Sequence, residues 1–457
     1  MGVRALAYAL GLRFDASEAA AFWHFIEPEL LRERLAESLF YLHAQPPLFN
    51  LWLGVYHKLF GDAMPLAFAL TYVALGALLC VQMNALAEAL GVSRWLRIIG
   101  VAVFCTSPAV LLYENFLLYS YPVAVLLTWS AVRFHRALTS GRERDWFVFS
   151  AIVTSIVLMR ALYHPLWLVF VLAGAALALP AKGGRRALLR PALIAVLLVG
   201  AVLAKNQIVF GHATLSSFTG MNLSRVVLDR MDEQERTAMV QRGALSTWAT
   251  TGGFQYLWEY DPAPRVEPTT VPLLDRTFKA DGSVNLHHRG YLVISDQLLR
   301  DSLVVIRERP SIYVRSVWEN VKQTLRPAST YEPLAAARAR IGPLVRVYEP
   351  ILGWIPAFGP MGLWPVLLPL VLLAGGADLW RGLSRAQSRD SAPDARSALI
   401  AYLLFNIVYV ITVGALMERS ENQRFRFDVD PMIWVLLLVA LDRLSRRTRR
   451  AAPAAAR

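Results

Sequence analysis

Cysteine is almost absent from this chain: two in 457 residues, Cys80 and Cys105, both inside apolar runs. Two such thiols read as small buried side chains, and neither a disulfide framework nor a zinc spacing can be built from them. No GxxxxGK occurs and no GxGxxG follows a strand, which excludes a cytoplasmic nucleotide-binding domain. Internal repeats are not evident either, and that weakens a transporter made of repeated halves. What is abundant is apolar residues, 56% of the chain, with a mean hydropathy of +0.41 and several long apolar runs. This composition defines an all-α polytopic membrane protein.

Nine stretches qualify as spans: 65–87, 96–112, 119–132, 146–159, 164–179, 191–210, 351–373, 399–416 and 431–441. Ser150, Thr154 and Ser155 dilute the fourth. Ahead of them, Val3 to Leu12 is apolar but about half the length a span needs, so it reads as the remainder of a first helix whose upstream part lies outside this sequence.

Orientation follows from the positive charge, because Lys and Arg concentrate in short cytoplasmic segments. With the C-terminal tail inside, the inner connections and tail hold twenty basic residues, Lys182, Arg389 and Arg457 among them, against seven acidic ones. That excess equals the formal charge of the whole chain, +13. Topology therefore accounts for the basic balance, and nucleic-acid binding is not needed. The opening loop, 113–118, 160–164, the long segment 211–350 and 418–430 then all face outward.

The opening loop has its own pattern. Asp15-Ala-Ser-Glu18 has the form of a capping box, although an acidic residue at the mouth of a membrane pocket also suits a general base. Pro28 starts an amphipathic helix with Leu31, Leu35, Leu39 and Leu42 on one face. A further helix begins at Pro46 or Pro47, with Asn50, Gly54, His57 and Lys58 in one polar stripe. At about 13 residues it is too short to span and is expected to lie in the interface.

An acidic residue after a first span, an amphipathic loop ending in an H-x-x-P-P element and then an interfacial helix resembles the polyprenyl-phosphate-sugar-dependent glycosyltransferases of the C superfamily. Protein O-mannosyltransferases and aminoarabinose transferases are its familiar members. The residues that carry the resemblance are Asp15, His43-Ala44-Gln45-Pro46-Pro47, and Glu421-Asn422-Gln423-Arg424-Phe425-Arg426-Phe427. It implies a helical bundle of that superfamily's kind in the bacterial inner membrane. It further implies inverting transfer, on the outer face, of a sugar from a polyprenyl-phosphate donor to an acceptor hydroxyl on a glycan, lipid or protein. Asp15 would be the base that takes the acceptor proton. The family commonly shows an Asp-Glu pair where this chain has Asp15-Ala16, so Glu18 and Glu27 stand as alternatives.

The chemistry needs a carboxylate for the acceptor and positive charge for the phosphate leaving group. Outer-side cations are Arg160, Lys205, Arg424 and Arg426. Arg160 and Lys205 near span ends are functional candidates by position, against the alternative that both snorkel. Arg160 and His164 share a face if the helix continues between them. Arg424 and Arg426 share one only if their stretch is extended, and they could equally pair with Glu418 or Glu421. His43, Gln45, Glu114, His164 and Glu421 complete the expected pocket, with Glu114 either binding acceptor or capping a span. Asp428-Val-Asp430 precedes Pro431 and reads as a helix start. No cofactor follows from these residues, and a divalent metal stays open because no ligand cluster stands out.

The chain thus divides into a first-helix remnant with the opening loop (1–64), six spans (65–210), an outer segment (211–350), three spans (351–445) and a basic tail (446–457). The outer segment is expected to hold a helix over 311–325 and to recognise acceptor or act as a lid; His287 and His288 read as solvated loop residues. Two other classes fit the topology. A lipid-linked oligosaccharide polymerase or ligase would rely on the large loop in place of Asp15, and a lipid or solute transporter would keep its charges at mid-membrane.

Overall fold

The computed structural model describes residues 2–180, 184–388 and 393–451. Lys182, Arg389 and Arg457 lie outside the described residues. Within them the chain is helical, with two isolated β-bridges and no strand. In chain order the helices used below are α1 (Gly2–Ala9), α2 (Pro47–Phe60), α3 (Met64–Ala89), α4 (Arg94–Cys105), α5 (Pro108–Glu114), α6 (Ser120–Ser140), α7 (Glu143–Met159), α8 (Pro165–Leu177) and α9 (Arg186–Phe210). There follow α10 (Thr219–Val227), α11 (Gly290–Glu308), α12 (Pro310–Thr324), α13 (Trp364–Ser388), α14 (Ala395–Met417), α15 (Asn422–Phe427) and α16 (Asp430–Ala451).

Among the described residues, four helical stretches are long and apolar enough to cross a membrane, and a fifth if α4 and α5, bent by 54°, form one span. Nine were expected. The difference lies in charge and length: α6 carries Arg133, His135 and Arg136, α7 opens on Glu143, Arg144 and Asp145, α8 has 13 residues, and α16 runs into Asp442 and Arg443. The seventh expected span starts late, at Trp364. Gly353, Gly359 and Gly362 all take positive φ there, and a Cβ on Gly362 would lie 2.3 Å from the Gly353 carbonyl oxygen. Only a chain without side chains at that point can make the turn.

Helix α2 begins at Pro47, as its proline predicts. It folds back along α3: the Tyr56 hydroxyl bonds Thr71 Oγ1 at 2.9 Å, and the Tyr56 and Phe68 rings are 4.3 Å apart. A straight helix would separate residues 56 and 71 by roughly 22 Å. The polar stripe points the opposite way from a surface helix. Asn50, Gly54 and His57 are buried and Lys58 alone of the stripe is exposed, on the same side as the exposed Leu51, Val55 and Leu59. Asn50 earns its burial by accepting from Ile26 N–H (2.8 Å) and donating to the His24 carbonyl (3.2 Å), which staples the opening loop to α2.

The outer segment packs around a second core that includes Phe218, Met221, Tyr291, Ile294 and Leu298. Helices α10 and α11 touch backbone to backbone at Gly220, where a Cβ would sit 1.7 Å from the Ser295 carbonyl oxygen. Helix α12 matches the expected 311–325 helix within a residue, while α11 was not anticipated. At one end of the bundle several basic connections meet. Arg396 donates to the Leu90 carbonyl (2.6 Å), Arg446 to the Gly91 carbonyl (2.9 Å), and Arg443 pairs with Asp378. The other end of α14 leads into the cavity described next.

Candidate functional site

A cavity of about 460 Å³ opens where the opening loop, the end of α7, α10 and the α14–α15 corner converge. Its polar wall includes His24, Gln45, Arg160, Arg225, Glu418, Glu421 and Arg424; Leu166, Phe170, Tyr409 and Val413 form an apolar side.

Arg160 reaches it because α7 ends at Met159 and Arg160 adopts extended geometry. It is 3% exposed, pairs with the buried Asp428, and lies 4.4 Å over the Phe425 ring. Its Nη2 has no hydrogen-bond partner, and neither does Nε of Arg424, which is 2% exposed. Arg424 pairs with Glu421 and donates to the Tyr119 hydroxyl at 3.3 Å, with Tyr331 and Phe425 rings about its guanidinium. Two buried guanidinium groups with unspent N–H donors on one cavity wall fit an oxyanion, since an unpaired buried donor is costly until something accepts from it.

Two carboxylates line the same cavity. Glu418 is buried, 3.6 Å from Arg225, and accepts from the Arg419 N–H at 2.9 Å. Burial first, and then the nearby Glu421, push its carboxyl up to about 7. His24 bonds the Tyr119 hydroxyl at 2.9 Å and stacks on Tyr119; burial and the charge of Arg424 hold it neutral, well below the usual histidine range.

The expected residues separate into groups. Gln45, Arg160, His164, Glu421 and Arg424 share the cavity. His164 is not on a helix with Arg160; it caps α8, its Nδ1 accepting from Leu166 N–H at 3.2 Å. Arg426 is not there: the 422–427 stretch is helical, not extended, so Arg424 and Arg426 point apart. Arg426 is fully buried, bound to Asp430 at 2.7 Å and to the Arg326 carbonyl at 3.0 Å, beside the stacked rings of Trp354 and Trp364. Asp430 starts α16, as the proline after it predicts.

Lys205 donates to the Leu42 carbonyl at 2.9 Å, beside a shallower groove under the opening loop. Glu114 lies inside the bundle, held by Arg4 through two 2.7 Å bonds and by Tyr121 at 3.0 Å; it is neither at an open turn nor a cap. His43 joins the opening loop to the outer segment, through Ser217 Oγ and the His287 carbonyl, both at 2.8 Å; burial lowers it to about 4 and keeps it neutral. His287 is fully buried, contrary to the solvated-loop expectation, with Phe25 of the opening loop beside its ring.

Asp15 does not cap a helix. Its backbone bridges Asn115 and Leu117, and its carboxylate accepts from Ser17 N–H (2.9 Å) and Ser17 Oγ (2.7 Å), so the short helix begins at Glu18 instead. Asp15 is exposed. Glu18 beside it is pushed up by burial and then by Asp15, with Glu332 and Glu421 adding to the push. Glu421 thus links this acidic corner to the cavity. Glu27 is tethered to Arg276 (2.9 Å) and to Ala280 N–H (2.7 Å). No group of three or more His, Cys, Asp or Glu among the described residues is arranged to hold a metal ion.

Sequence reading passed over His24, Tyr119 and Arg225 and saw Glu418 only as a pairing partner. Arg225 is one of many arginines in the outer segment, and only folding brings it to Glu418. No family model, curated protein or solved structure matches this chain.

Proposed function

We propose that this membrane protein is a glycosyltransferase that moves a sugar from a polyprenyl-phosphate donor to an acceptor hydroxyl, with inversion. The observation that carries the reading is the pair of buried arginines, Arg160 and Arg424, which line a cavity with one polar and one apolar side and each keep one buried N–H without a partner. In this reading the donor phosphate lies between the two guanidinium groups, and the lipid leaves past Leu166, Phe170, Tyr409 and Val413. The acceptor oxygen attacks the anomeric carbon, the bond from that carbon to the phosphate oxygen breaks, and the electron pair stays on the phosphate. Arg160 and Arg424 neutralise the charge that develops there. The acceptor proton passes to a carboxylate of the acidic corner, Asp15 first and Glu18 as the alternative, Glu18 being the one on which the charge of Glu421 acts.

The experiment is transfer of label from a panel of polyprenyl-phosphate sugars to a membrane acceptor extract by purified protein in detergent. Wild type is compared with Asp15→Asn, Glu18→Gln and Arg424→Lys. Transfer by wild type, with a loss of about 100-fold in one carboxylate variant and in Arg424→Lys, supports the assignment. Folded wild type that transfers nothing across the panel overturns it.

A further inference from the structure

A further charged cavity lies at the far end of α14. About 340 Å³ in volume, it is walled by Asp378, Arg381, Arg385, Asp394, Arg396 and Arg443. Along α14 the first cavity reaches from Met417 back to Tyr409 and this one from Ser397 to Ile400, so nine residues, about 14 Å of helix, separate them. Both aspartates are already engaged. Asp378 is shared by Arg381, at 2.9 Å, and Arg443, and Asp394 caps α14 by accepting from Ser397 N–H at 2.7 Å. Four arginines face two carboxylates, leaving an excess of two positive charges among the described residues. Residues 389–392, outside them, add one charge of each sign.

An apolar groove of about 280 Å³ begins at the same place. Ser397 belongs to both, and from it the groove runs between α8, α13 and α14 past Leu383, Ala401, Gly174 and Phe405. Along α14 alone, Ser397 to Phe405 covers roughly 12 Å. Leu177 and Leu383 on its rim are exposed. A cluster of arginines at a helix end, continuous with an outward-facing apolar groove, has the two-part character of a phospholipid.

We propose that this is a binding site for an anionic phospholipid, its phosphate among Arg381, Arg385, Arg396 and Arg443 and an acyl chain in the groove. The site sits on the membrane face opposite the first cavity and stands independently of the glycosyl-transfer reading. Arginine suits the task because its fork of donors stays charged and matches phosphate oxygens.

The test is native mass spectrometry of detergent-purified protein titrated with phosphatidylglycerol or phosphatidylcholine, with inorganic phosphate as competitor. The expected result is selective retention of phosphatidylglycerol. Arg385→Ala combined with Arg396→Ala weakens it about 30-fold, roughly fivefold for each basic side chain at an anionic surface. Arg396 also holds the Leu90 carbonyl, so a second variant avoids that contact. Gly174→Leu fills the groove, where a Cβ on Gly174 meets nothing within 4 Å, and should weaken phosphatidylglycerol while leaving the arginines untouched. Equal retention of the two lipids overturns the proposal. So does displacement by inorganic phosphate with no effect of Gly174→Leu, which would mark a free-anion site.

Discussion

Glu418 offers a sharp test of the cavity's electrostatics. Its carboxyl is pushed from an ordinary 4.5 up to about 7 by burial and by Glu421, in spite of Arg225 at 3.6 Å. A carboxyl raised in the folded state holds its proton there over a pH range where the unfolded chain has lost it. Stability therefore falls as pH rises from about 4.5 through about 7, and the loss is complete above that. At roughly 1.4 kcal/mol per pH unit the full penalty is at most about 3.5 kcal/mol. Glu418→Gln keeps the shape and removes the charge. It should leave the thermal unfolding midpoint in detergent unchanged at pH 4.5 and raise it at pH 8, flattening the profile between. The matching experiment is a pair of thermal scans across that range. If the variant is less stable than wild type at pH 8, the Arg225 pairing outweighs burial, and the account of this carboxylate is wrong.

Other consequences separate framework from chemistry. Arg426→Met should reduce stability by roughly 3–5 kcal/mol, because Asp430 is left buried without its partner, and it should show as lost folded yield on size-exclusion chromatography. Arg424→Lys should retain a folded protein while losing transfer, since one ammonium cannot reproduce the fork shared by Glu421 and Tyr119. Gly76→Ala would place a Cβ 2.1 Å from Glu114 Oε2, and a drop in thermal midpoint is expected as the Arg4–Glu114–Tyr121 cluster is forced apart. Gly220→Ala meets backbone, not a flexible side chain, so it should separate α10 from α11 and expose sites in the outer segment to limited proteolysis.

What the sequence determined by itself was the helical class and most of the helix positions. Composition and run length specify a helical membrane protein, Pro47 marks a helix start, and the apolar stretches fall on helices except in the second, which breaks between α4 and α5, and the seventh, which starts late. Arg160 and Lys205 stood out because charge near apolar spans is expensive, and of the two only Arg160 lines the cavity. What tertiary structure decided was which faces meet. The stripe Asn50, Gly54 and His57 looked like a water-facing surface, and packing turned it inward because Asn50 satisfies the opening loop. Arg424 and Arg426 are two residues apart in sequence, yet helical geometry sends the first to the cavity and the second against a stacked pair of tryptophans. Glu418 and Arg225 are distant in sequence and adjacent in space, and no periodicity carries that information. Periodicity reports the exposure pattern of one helix, whereas a site assembled from several helix ends depends on long-range packing.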